Sequence, residues 1–293
     1  MRVLVALDTN PYSTYVVHEV AKLAMNTWAD VTLLGVDSKR PDISNHAAGS
    51  LRNIPIVKKM VKFRKEFLSY FTDKDTSPYE KRQQAYELVE LGKGLWEEFC
   101  VCRSRKEFRV RVRFGPPAKQ VLAEAKEEQS DLIVVGCSKG DRCAWEQDRN
   151  APEKIVKGAP CSVLVVKEEK KPNKIICCLD HDSVSQESLE LINQMVTLHQ
   201  TELAIVGLTE SDRLKEEVDQ KMKQILQYYT DQKIKAWVSV VDVSLLDQFI
   251  PDAEEKGLIA LWMGPRSILG KFFSQDRVGR LIRTAQSSVL ILR

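Results

Sequence analysis

The opening strand-like run "RVLVALD" (2–8) returns as "KIICCLD" (174–180), and "ADVTLLGV" (29–36) returns as "TELAIVGL" (201–208). Asp8 and Asp180 are 172 residues apart, as are Gly35 and Gly207. Two further pairs keep the order: "SDLIVVG" (130–136) with "KGLIALWMG" (256–264), and "CSVLVVK" (161–167) with "SSVLILR" (287–293). A unit written twice constrains the fold more than any composition can, because each copy must bury its own core. Gly136 and Gly264 are only 128 residues apart, so the first copy carries extra chain within 37–106.

The repeated runs are short, continuously apolar and separated by helical patterns, which predicts parallel strands covered on both faces. The charged, proline-containing stretch "KEEKKPNK" (167–174) reads as the boundary. Domain 1 is placed at 1–168 and domain 2 at 173–293. One strand in each copy reads differently: "FRVRVRF" (108–114) and "IKAWVSV" (234–240) alternate, with Arg109, Arg111 and Arg113 on one face. Such a stripe suits an edge strand protected by charge better than a nucleic-acid groove.

A net charge of +3 over 293 residues gives no argument for nucleic acid. No apolar run reaches the roughly 18 residues that cross a bilayer, and "MRVLVALD" meets an Asp too early for a signal peptide. A cytoplasmic protein is expected. Seven cysteines without paired spacing predict free thiols, with Cys137 and Cys143 in a loop where an exposed thiol is conceivable as a redox sensor.

The motifs "VLVALD", "VRFGPPAKQVLAEAKEEQSDLIVVG" (112–136) and "EKIVKGAPCSVLVVK" (153–167) resemble those of universal stress protein domains, and the whole chain is similar to a tandem member of that family. The resemblance implies an α/β fold of two tandem doubly wound five-stranded parallel sheets, in order 3-2-1-4-5. It also implies an intramolecular pseudo-dimer paired through the fifth strands. Nucleotide-binding members carry Gly-x2-Gly-x9-Gly-Ser/Thr after strand four, where glycines admit phosphates to the backbone and a hydroxyl caps the next helix. In copy one Gly136 is kept, Lys139 stands at the second glycine with Gly140 one place late, and Arg149 and Asn150 replace the final pair. In copy two Gly264 precedes Pro265, Ser267 takes the second glycine's place, and Gln275 and Asp276 match the last pair.

The resemblance places Asp8 and Asp180 against the nucleoside part of a ligand. The candidate cofactor-binding or anion site is therefore Asp8, Gly136, Lys139, Gly140, Arg149 and Asn150. No resident cofactor is expected, with ATP conceivable in domain 1 only. "GPRSILGKF" (264–272) misses the P-loop pattern by one residue and by Phe272. "LDHDS" (179–183) is a poor metal set, and four scattered histidines give no catalytic spacing.

"IPIVKKMVKFRKEFLSYF" (54–71) predicts an amphipathic helix with Val57, Met60, Val61, Phe67, Leu68 and Phe71 inward and Lys58, Lys59, Lys62, Arg64 and Lys65 off that stripe. A second helical run is expected over 77–105, the two making a helical hairpin. Three functions remain open at this point. The first is a non-enzymatic stress-response protein that binds an unknown protein partner or small ligand without the ATP mode. The second is a nucleotide switch or weak ATP hydrolase using the altered loop. The third is an adaptor docking a partner or membrane surface through 54–105. The chain also leaves room for a homodimer.

Overall fold

Continuous apolar runs make inner strands here because both faces of the sheet are covered, so period-two alternation is lost. The computed structural model describes residues 1–39, 51, 53–73, 77–79, 87–92, 94–98, 105–138, 145, 148–167, 172–179, 184–210, 215–246, 248–250, 253, 257–264, 267, 269–270 and 275–293. The described residues group into two compact units, meeting in sequence between Cys161 and Ser162.

In the first unit, β1 (Arg2–Leu7) lies between β2 (Asp30–Asp37) and β6 (Leu132–Gly136), parallel to both. β2 continues in parallel to β5 (Phe108–Phe114). Helix α1 (Tyr12–Thr27) buries Val16, Val17, Val20, Leu23 and Ala24. It stops at Trp28, in the left-handed region at φ 49°; the repeat counterpart Gln200 ends its helix the same way at φ 47°. Helix α3 (Pro117–Glu127) follows β5, and α4 (Ala151–Gly158) opens with Pro152 in its first turn, where a missing N–H costs nothing.

The helix expected over 54–71 is α2 (Pro55–Ser69). Its apolar face is spent on the core: Phe67 stacks on Phe108 with centroids 4.6 Å apart, and Phe71 and Tyr79 complete the aromatic cluster. Arg64 departs from the expectation. It is buried, with Nε 3.1 Å from Glu98 Oε1.

The second helical run is not found in the described part of 77–105. Instead β3 (Leu88–Gly92) and β4 (Leu95–Glu98) form an antiparallel hairpin, and β4 pairs antiparallel with β5. The reason lies in "GKG": Gly92 (φ 98°) and Gly94 (φ 75°) adopt backbone angles that suit a tight turn and break a helix. β5 is therefore not an edge, which corrects the reading of its arginines. Arg111 reaches Glu97, Glu124 and Glu128, each at 2.6 Å, and Arg113 reaches Glu124 and Glu127 at 2.5 Å. Arg109 meets Glu128 at 2.6 Å. Burial opposes the Arg111 charge, but the hydrogen bonds it donates to Glu124, Glu128 and Glu97 outweigh that and push the guanidinium pKa up. These arginines answer carboxylates of their own chain.

In the second unit β8 (Lys174–Leu179) lies between β9 (Glu202–Thr209) and β11 (Leu258–Trp262), parallel to both. β10 (Ala236–Asp242) adds in parallel to β9, and β12 (Val289–Leu292) in parallel to β11. β7 (Ser162–Val166), the last strand of the first repeat, groups here and pairs antiparallel with β12. Helix α5 (Gln186–His199) is capped by Ser185, whose hydroxyl accepts from the Ser188 N–H at 3.2 Å. Helices α6 (Lys215–Asp231) and α7 (Gln275–Thr284) complete it, and Met222 of α6 sits against Gly207, where an added Cβ would lie 2.5 Å from its Cγ.

Candidate functional site

The carboxyl ends of β1, β2 and β6 meet at one rim of the first unit, the rim at which parallel α/β sheets bind ligands. Asp8 follows β1 and is 3% exposed. Its carboxylate is bonded by the loop that follows it. Oδ1 accepts from Ser13 Oγ at 2.8 Å and from the Asn10 backbone N–H at 3.0 Å; Oδ2 accepts from Asn10 Nδ2 at 2.6 Å and from the Tyr12 hydroxyl. The Asp8 N–H in turn donates to Ser13 Oγ at 3.1 Å. Asp8 thus folds the turn into α1, whose Ncap Pro11 supplies no side-chain cap.

Gly136 is kept for packing. A Cβ there would lie 2.6 Å from Tyr12 Cδ2 and 2.7 Å from Val16 Cγ2. Gly136→Ala is expected to push Tyr12 off Asp8 and to destabilise the chain by about 1–3 kcal/mol, the range for overpacking. Urea unfolding checks it, and an unchanged midpoint would show that α1 yields freely.

Above this turn sits Trp145, which the sequence reading missed. It is 2% exposed, and its Nε1–H donates to the Gly136 carbonyl at 3.1 Å. The indole lines, with Asp8, Thr9, Val36, Asp37, Ile56 and Pro117, a narrow cleft of about 10 Å³. That is room for roughly one water. The signal was visible in "RCAWEQ": a tryptophan in an otherwise polar loop needs somewhere to bury itself.

At the start of α4 a carboxylate of the chain stands where an anion would bind. Asp148 Oδ1 accepts from the Asn150 backbone N–H at 3.1 Å, and Lys154 Nζ reaches Oδ2 at 2.8 Å. Asn150 is the Ncap residue but makes no side-chain cap bond, and Arg149 is exposed. The structure brings Asp8 and Gly136 to one cleft, with Asn150 at the helix start. Lys139 and Gly140 lie outside the described residues. Cys137 is buried and joined in a disulfide whose other half lies outside the described residues, which corrects the expectation of free thiols at that position. Cys143 is not described.

In the second unit Asp180, His181, Asp182, Ser183 and Pro265 fall outside the described residues. Gly264 packs against Trp262, where a Cβ would lie 2.5 Å from the ring. Ser267 is buried, and its Oγ accepts from the Gly270 N–H at 2.8 Å. Among the described residues no group of three metal-ligating side chains occurs, and no helix is long and apolar enough to cross a membrane.

The parallel order β6-β1-β2-β5, with an aspartate turn after β1 and a glycine ending β6, is that of the doubly wound α/β class. The chain belongs to the universal stress protein family, which matches residues 1–167. It is similar in fold to a universal stress protein from Archaeoglobus fulgidus DSM 4304, at 12% identity and TM-score 0.59, covering 99% of this chain and 96% of that one. It is likewise similar to a putative universal stress protein from Pseudomonas aeruginosa UCBPP-PA14, at 14% identity and TM-score 0.57, covering 100% and 93%. No curated protein matches the chain significantly.

Proposed function

We propose that this chain is a non-enzymatic, tandem member of its family that acts in stress response by binding a ligand or partner, without the family's ATP mode. The observation that carries this reading is Trp145, which leaves about 10 Å³ beside Asp8. Sites for drug-sized ligands occupy about 300–1,000 Å³. Asp148 supports it independently. A carboxylate at the α4 N-terminus, bonded to the Asn150 N–H, takes the place of a phosphate and repels another. The antiparallel pairing of β7 with β12 is in keeping with a tandem chain whose two fifth strands meet.

The test is calorimetric titration of the full chain with ATP, with and without magnesium, beside a thermal melt. The expected result is no saturable heat and no shift of Tm at millimolar nucleotide. Micromolar binding would overturn the reading, since ligand at 100 times Kd stabilises by about 2.7 kcal/mol and moves Tm visibly.

A further inference from the structure

β10 and β5 occupy the same place in the two copies, the strand beyond β2 or β9, yet their outer edges are treated oppositely. β5 carries Arg109, Arg111 and Arg113 and is covered by β4, in the register Leu95 with Arg113, Trp96 with Val112 and Glu97 with Arg111. β10 reads "AWVSVVD", with no proline, an unbroken register against β9 and no charge before its terminal Asp242. Among the described residues no strand pairs with its outer edge. Natural sheets blunt open edges with charge, bulges or proline, and a long apolar edge that lacks them is a template for another strand. Trp237, Val238, Val240 and Val241 are all only half-buried, unlike the fully buried strands beside them.

The backbone directions are fixed by one bond. The Lys235 carbonyl accepts from the Leu203 N–H at 3.0 Å, so Lys235, Trp237, Ser239 and Val241 turn their backbone groups toward β9. Ala236, Val238, Val240 and Asp242 turn theirs outward.

We propose that β10 is a homodimer edge, pairing antiparallel with β10 of a second copy of this chain about a two-fold axis at Ser239. In that register Val238 faces the partner's Val240, and Ala236 faces the partner's Asp242, so outward groups meet outward groups and exchange both bonds. Trp237 faces the partner's Val241, an aromatic and β-branched pair of the kind that stabilises sheets. Lys233, just before the start of one strand, comes to the Asp242 end of the other, which makes these charges complementary, while Lys235 is already paired with Glu202. This register is self-complementary, as a two-fold interface requires.

Sedimentation equilibrium of the full chain tests it. The expected mass in the micromolar range is twice 33.4 kDa. Val240→Pro removes an outward N–H that the β9 ladder does not use and sets a ring at the edge, which edge strands tolerate. Ser239→Lys sets two like charges face to face at the axis. Both variants are expected at the single-chain mass with an unchanged circular dichroism spectrum. If Val240→Pro fails to fold, Ser239→Lys decides alone, its site being exposed. In the wild-type dimer the Val238 and Val240 amides are expected to exchange slowly, and to lose that protection on dilution. A wild-type chain that stays single up to about 100 μM, or a folded variant that keeps the double mass, overturns the proposal.

Discussion

Arg111→Ala is expected to lower the stability of the chain by about 3–5 kcal/mol, the cost of removing one partner from a buried ion pair. Arg111 is 7% exposed and Glu124 is 0% exposed, so the substitution takes one of two guanidinium partners from a carboxylate that water does not reach. Arg113 remains at 2.5 Å from the other oxygen of Glu124, but Glu97 and Glu128 lose their 2.6 Å contacts with Arg111 at the same time. Urea unfolding, read by circular dichroism, measures the loss. The double substitution Arg111→Met with Glu124→Gln removes both charges and is expected to cost clearly less than the sum of the singles, the sign of direct coupling. A loss below about 1 kcal/mol for Arg111→Ala, the value of an exposed pair, would mean that the network is solvated in solution.

Trp145→Ala is the second large effect, with an expected loss of about 3–5 kcal/mol for emptying a filled site. The variant exposes the Gly136 carbonyl that the indole N–H now satisfies at 3.1 Å. Indole added at millimolar concentration is expected to raise the Tm of the variant and to leave the wild-type chain unmoved, because only the variant has a cavity of the right shape. ATP titration of the same variant separates two contributions to the closed cleft. Binding gained there would assign exclusion to Trp145, and continued silence would assign it to Asp148 at the start of α4. A wild-type-like melting curve for Trp145→Ala would refute the packing role outright.

Much of the fold could be read from the chain before its structure, because buried parallel strands declare themselves by unbroken apolar runs such as "VLVAL" and "IICCL". Helix α2 was legible for a different reason, its apolar stripe recurring at helical spacing. The hairpin was not. Val89, Leu95 and Trp96 fit a helical period as well as a strand one, and the deciding residues were the glycines of "GKG" rather than the apolar ones. The arginine stripe of β5 was visible as a stripe, yet its partners come from β4 and α3, a pairing that local alternation does not encode. Of the candidate site, Asp8 and Gly136 lie at the rim, where one folds a turn and the other admits α1. Trp145 required the third dimension, since only the folded loop shows which cleft it fills.

The β3 and β4 hairpin also bears on how an α/β sheet avoids runaway growth. A module with one sticky flank, when copied in tandem, acquires two, and a chain with two sticky flanks can add neighbours without end. Here one flank is sealed by a strand of the chain itself, and the sealing strand hands on a poor template: β3 is five residues long, is interrupted by a register shift between Glu90 and Gly92, and carries glutamate at its centre. The added strands thus leave β5 covered and end the first unit's sheet, on that side, in a short, irregular, charged strand.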